Sequence, residues 1–123
     1  MDSKAKGKRF ELECCETLSE VFGTKVERTG QYCAKSGTAD LVVPAHPWMH
    51  WEAKMRGESI TPAKLAEFFD RQAFPDAAAD GVGKIPLVAS RWNRSRFLMV
   101  SVWAWHVPDV VDLLAPSRGW VRP

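Results

Sequence analysis

Phe10, Cys14, Leu18, Val21 and Phe22 recur at three- and four-residue spacing ahead of Gly23, which predicts an amphipathic helix over residues 3–22 with the glycine as its stop. Glu13, Glu16 and Glu20 form its polar face. Glu11 falls out of step with them: it lies four residues before Cys15 and seven before Leu18, close to the inward stripe. A carboxylate there needs a chemical reason.

Residues 25–29 read as a short strand and 30–37 as a loop of small and polar residues. Residues 38–43 follow as a second strand, with Leu41, Val42 and Val43 suggesting burial. Pro44 and Pro47 make 45–48 a turn. Over 49–55 the alternation is clear: Met49, Trp51, Ala53 and Met55 on one side, His50, Glu52 and Lys54 on the other. Thr61 as N-cap and Pro62 at the first helical position then open a second helix, with Leu65, Phe68, Phe69 and Gln72 or Ala73 on its inward stripe, ending near Phe74-Pro75. Residues 76–83 read as a small-residue linker. Residues 85–90 and 97–102 read as strands joined by a basic turn over 91–96, and a short helix over 108–114 closes the order. Helix, three strands, helix, two strands, helix predicts an α/β fold: a mixed central sheet flanked by helices, with a crossover suited to a parallel pair.

The 123 residues have room for one compact domain, and a single domain is expected, with residues 1–8 as a basic arm and 103–123 as a C-terminal extension. Hydrophobic residues at 46% and charged residues at 26% exclude wholesale disorder. Cys14, Cys15 and Cys33 give an odd count without a CxxC, against a disulfide framework or zinc knuckle, and fit a reducing cytoplasm; Cys14 and Cys15 read as small core fillers. No run approaches the roughly 18 apolar residues of a membrane span, and no apolar signal segment follows the lysine-rich start. A soluble, intracellular protein is expected, in a host cytoplasm if phage-encoded. Net charge is only +2, so nucleic-acid binding has to rest on where the cations sit. Lys4, Lys6, Lys8 and Arg9 crowd the start, and Arg91, Arg94 and Arg96 surround Trp92. The bland reading of either run is a solvated face.

Asp40 at the start of the buried strand, and Glu52 and Lys54 on the polar face of the next, bring two carboxylates and an ammonium towards one place. Close carboxylates repel and shift towards protonation, which a bound Mg²⁺ relieves because it favours a few hard oxygen ligands and keeps several waters. A lysine beside the metal suits phosphodiester hydrolysis. An isolated ExK is common and more often means neighbours on a solvated strand. The context argues for chemistry here: Asp40 lies 12 residues before Glu52, across a hairpin, and Glu11 points inward from the preceding helix.

Lys6-Gly7 with Glu11, Arg28, Ser36-Gly37, Asp40-Leu41-Val42 and Glu52-Ala53-Lys54 carry a resemblance that extends from Lys6 to about Val102. In these residues the chain resembles the PD-(D/E)xK nuclease superfamily, and within it the archaeal-type Holliday junction resolvases and their phage relatives. The resemblance implies a restriction-endonuclease-like core, Glu11, Asp40 and Glu52 at the metal, Lys54 as catalytic lysine, Ser36 near the scissile phosphate and Gln72 as a polar support. The hairpin between Asp40 and Glu52 is longer than the usual resolvase pattern, and residues 103–123 run past the match.

The expectation is a Mg²⁺- or Mn²⁺-dependent DNA endonuclease acting on four-way junctions, with Lys6, Lys8, Arg9, Arg28, Ser36, Arg91, Trp92, Arg94 and Arg96 on the DNA. A resolvase would be a homodimer, because two opposed strands are cut in concert. The alternatives are a phage or mobile-element nuclease acting on linear or nicked duplex, and an inactive DNA-binding module. His46 and His50 read as turn-surface residues, although His50 shares the face of Glu52 and could lie at the edge of the site. His106 has no assigned role. Trp51 is expected in the core, and Trp103 and Trp105 in core or interface.

Overall fold

Helix α1 spans Ser3–Phe22, as its spacing predicts. It ends at Gly23, whose φ of 65° is the left-handed conformation that a Cβ disfavours. Its inward stripe is Phe10, Cys14, Cys15, Leu18 and Phe22, all buried. The Ser19 hydroxyl donates to the Cys15 carbonyl at 2.6 Å and accepts the Val26 N–H at 3.1 Å, fixing the exit from the helix. The computed structural model describes residues 3–29, 38–93 and 95–111. The loop expected over 30–37, with Ser36 and Cys33, lies outside the described residues, as do Arg94 and the chain from 112.

Five strands form one mixed sheet in sequence order: β1 (Glu27–Arg28), β2 (Leu41–Val42), β3 (Met49–Arg56), β4 (Ile85–Trp92) and β5 (Met99–Val102). β3 and β4 are parallel over their full length, and every other pair is antiparallel. A parallel pair cannot be joined by a hairpin, and the crossover runs through helix α2 (Pro62–Phe68), a π turn (Phe69–Ala73) and helix α3 (Phe74–Asp80). A 3₁₀ turn (Ala104–His106) and helix α4 (Val107–Val111) follow β5. The mixed α/β architecture is thus the one the element order predicts.

α1 covers one face of the sheet. Trp51 has no exposed area and meets the Phe22 ring edge-on at 5.9 Å; Leu41, Val43, Met49, Leu87 and Ala89 join it in one cluster. The crossover covers the other face, where Ala73 and Ala77 are buried and where His50, Glu52, Val88 and Ser90 lie by strand alternation.

Two expectations about boundaries and one about facing are corrected. The second helix does not end at Phe74-Pro75, and residues 76–80 are helix rather than linker. Proline lacks an N–H and its ring collides with the carbonyl four residues back. Here the Phe74 N–H reaches back five residues to the Phe69 carbonyl, and the widened turn lets the chain pass through Pro75. The extra residue in that turn also shifts the facing: Ala73 is buried and Gln72 exposed, so Gln72 is not on the inward stripe. Finally, β4 runs to Trp92, which puts Arg91 and Trp92 in a strand rather than in a basic turn. The Thr61 cap is as predicted, its hydroxyl accepting the Lys64 N–H at 3.2 Å. Trp103 and Trp105 are 51% and 77% exposed, so neither is core among the described residues.

Candidate active site

The site begins with strand register. Leu41 pairs with Trp51, so Asp40, one residue earlier, stands opposite Glu52 on the face beneath the crossover. Four hydrogen bonds hold it: the Asp40 N–H donates to the Trp51 carbonyl at 2.8 Å, its carbonyl accepts both the N–H and the hydroxyl of Thr29 at 3.1 Å each, and its Oδ2 accepts the Ala53 N–H at 2.9 Å. β2 is only two residues long, so the carboxylate takes over an N–H for which the ladder supplies no partner. Glu52 is 2% exposed. Burial pushes the Asp40 carboxyl up; the Ala53 N–H opposes this, the neighbouring Glu52 adds to it, and the result is about 6. Two carboxyls therefore share a half-enclosed place at a cost that a cation would relieve.

His50, read as a turn-surface residue, is instead completely buried. Its Nε2 lies 2.9 Å from Glu52 Oε1 and its Nδ1 lies 2.9 Å from Asp80 Oδ2, which is also 3.2 Å from Lys84 Nζ. Burial alone would lower the imidazole pKa, but hydrogen bonds to Glu52 and Asp80 outweigh it and the net shift is upward. For Asp80, burial raises the pKa, and bonds to His50 and Lys84 overcome it to leave the carboxyl below its ordinary value. Strand alternation already put His50 on the face of Glu52. Asp80 and Lys84 left no comparable mark, because both fall in or beside the stretch read as linker.

Lys54 continues the same face. Its Nζ sits 4.6 Å from the centroid of the Phe68 ring, and burial followed by the charge of Arg56 lowers its pKa. Clefts open on both sides of this end of β3. One, of about 410 Å³, is lined by Lys6, Gly7, Phe10, Glu11, Lys54 and Arg56. The other, of about 340 Å³, is lined by Arg56, Lys64, Glu67, Phe68, Arg71 and Gln72. Arg56, which the sequence reading passed over, lines both.

Glu11 is not brought into the carboxylate pair. Arg28, opposite Leu41 in register, points to the α1 face and donates Nε–H to Glu11 Oε1 at 2.6 Å. Arg91 is likewise taken by Glu13, through Nε and Nη2 at 2.8 Å each. Charge-assisted pairs of this kind form wherever a half-buried carboxylate meets a guanidinium, and these two clamp α1 to both halves of the sheet. Arg28 and Arg91, expected on DNA, therefore have internal partners. Lys6, Lys8 and Arg9 are exposed on the first half of α1, and Lys6 and Arg9 line a further cavity with Phe10 and Arg91. Trp92 is half-buried at the end of β4, and Arg96 is exposed beside the Phe97 ring.

Among the described residues no group of three or more histidine, cysteine, aspartate and glutamate side chains is arranged to hold a metal. The donor pair present, Asp40 and Glu52, consists of hard oxygens that repel each other, and this suits an ion such as Mg²⁺ that keeps much of its water. Also among the described residues, no helix is long and apolar enough to cross a membrane. Comparison with protein-family models, with curated proteins and with solved structures gave no match.

Proposed function

We propose that the chain is a Mg²⁺- or Mn²⁺-dependent endodeoxyribonuclease that hydrolyses phosphodiester bonds, with four-way DNA junctions as its favoured substrate. The observation that carries the reading is Asp40 standing opposite Glu52 on the neighbouring strand, with Lys54 two residues along the same face. Two like charges driven together in a half-buried place, beside a lysine and open clefts to which Lys6, Arg56 and Lys64 contribute, suit a phosphoryl-transfer site, and a solvated strand does not need them.

Asp40 and Glu52 would hold the ion. When bound, the ion supplies an acidified water and neutralises charge on the phosphate. The Lys54 ammonium faces the place where negative charge builds on the reacting phosphate. Lys6, Arg9, Arg56 and Lys64 follow the backbone on either side of it. Cutting two opposed strands of a junction in concert requires two such sites, hence a symmetric homodimer.

The test is cleavage of a labelled four-way junction beside a linear duplex of the same sequence, in Mg²⁺ or EDTA, with wild type and Lys54→Ala. Metal-dependent paired nicks in the junction, absent in the variant, are the expected result. Equal cutting of both substrates reduces the activity to general nuclease action. No cutting in Mg²⁺ or Mn²⁺ sinks the catalytic reading.

A further inference from the structure

The buried histidine has no part in the scheme above, yet among the described residues it is the most tightly enclosed polar side chain on this face. Both ring nitrogens are engaged at 2.9 Å, one by Glu52 Oε1 and the other by Asp80 Oδ2. Asp80 is itself fixed, as the last residue of α3 and through Lys84 four residues later. The chain Lys84, Asp80, His50, Glu52 thus runs from the end of the crossover helix to the carboxylate that faces Asp40. A ring held at both ends cannot rotate, and a glutamate with one oxygen held by that ring cannot swing freely.

We propose that His50 and Asp80 are positioning residues that hold Glu52 Oε1, so that the other oxygen of Glu52 is presented, already oriented, to a divalent cation shared with Asp40. The inference rests on the nuclease reading and adds to it. Carboxylates that bind metals are commonly oriented by a further layer of hydrogen bonds, whose removal costs about 10- to 100-fold in affinity or activity. Orientation matters here because, among the described residues, the site brings two carboxylates together, and Mg²⁺ tolerates little departure from its preferred geometry. A purely structural alternative is available: the same bonds tie α3 to β3. The two differ in whether loosening the chain changes cation affinity in a protein that remains folded.

The test measures Mn²⁺ binding by the free-ion signal in electron paramagnetic resonance, on the full chain without DNA, for wild type, Glu52→Gln, His50→Asn and Asp80→Asn. Each variant is accompanied by a thermal melt and by the Mg²⁺ dependence of cleavage. Affinity is expected to fall about 10- to 100-fold in His50→Asn, and less but in the same direction in Asp80→Asn. Cleavage by both should recover towards wild type at saturating Mg²⁺. Loss of affinity in Glu52→Gln, with wild-type affinity in the folded His50 and Asp80 variants, overturns this inference while sparing the nuclease reading. Wild-type affinity in Glu52→Gln overturns both. If His50→Asn does not fold, the partly exposed Asp80→Asn decides: unchanged affinity with a lowered melting temperature assigns the chain a structural role alone.

Discussion

Asp40 Oδ2 accepts the backbone N–H of Ala53 at 2.9 Å, so the carboxylate that faces Glu52 also completes the sheet where β2 runs out. Its charge and its acceptor oxygen are separable. Asp40→Asn keeps an oxygen for Ala53 and removes the repulsion with Glu52. Cleavage should fall at least 100-fold, while the unfolding free energy from urea titration in EDTA at pH 7.5 equals or exceeds that of wild type, by up to about 3 kcal/mol. Asp40→Ala also strands the N–H and should cost about 1–3 kcal/mol. Destabilisation of Asp40→Asn comparable to Asp40→Ala would show that the charge belongs to the fold.

The pH dependence of stability follows from the same pair. The folded Asp40 carboxyl is raised from 3.8 to about 6, so the native state binds the extra proton and this contribution is full below about pH 4. It declines as pH rises through about 6. His50, also raised, acts in the same sense above its ordinary 6.5, whereas Asp80, lowered, contributes above its ordinary 3.8 and loses its contribution on acidification. Urea midpoints in EDTA should therefore fall between about pH 4 and pH 7, Asp40 contributing no more than about 3 kcal/mol to the loss of unfolding free energy. The fall should flatten in Asp40→Asn, and Mg²⁺ should restore stability at the alkaline end. A midpoint that rises across this interval by the same amount in wild type and Asp40→Asn contradicts the assignment.

Lys54 packs on Phe68 without being a main element of the core. Lys54→Ala should reduce cleavage by about 10²–10³ while moving the melting temperature little. Lys54→Arg should not restore activity, since a planar guanidinium cannot take the place of a compact ammonium in this position. Full activity in Lys54→Arg would reduce the residue to a source of charge.

The cations divide into those facing the clefts and those with internal partners. Replacing Lys6, Arg9 or Arg56 by alanine should each lower the slope of log affinity against log salt by about one. Arg28→Ala and Arg91→Ala should leave Glu11 or Glu13 without its partner and lower stability, with the salt slope nearly unchanged. Filter binding over a salt series and thermal melts separate the two groups; a reversed pattern would move the DNA to the α1 face.

Much of the framework could be read from local periodicity. The 3.6-residue pattern ending at Gly23 defined α1, the Thr61-Pro62 signal opened the crossover, and alternation along 49–55 put His50, Glu52 and Lys54 on one face. These are properties of consecutive residues, and they survive any arrangement of the rest of the chain. What they could not supply is which groups meet. The pairing of Leu41 with Trp51 brings Asp40 opposite Glu52, and it is set by where those two side chains fill the core beneath Phe22. Glu11 read as a residue of the metal site, and what its position on the helix could not show is that Arg28 arrives beside it from β1 and pairs with it. Pro75 read as a stop, until the π turn carried the helix past it and delivered Asp80 to His50. Periodicity assigns a side chain to a face; its partner on that face is decided by long-range packing, because a buried charge settles against the counter-charge or donor that the folded chain brings within reach.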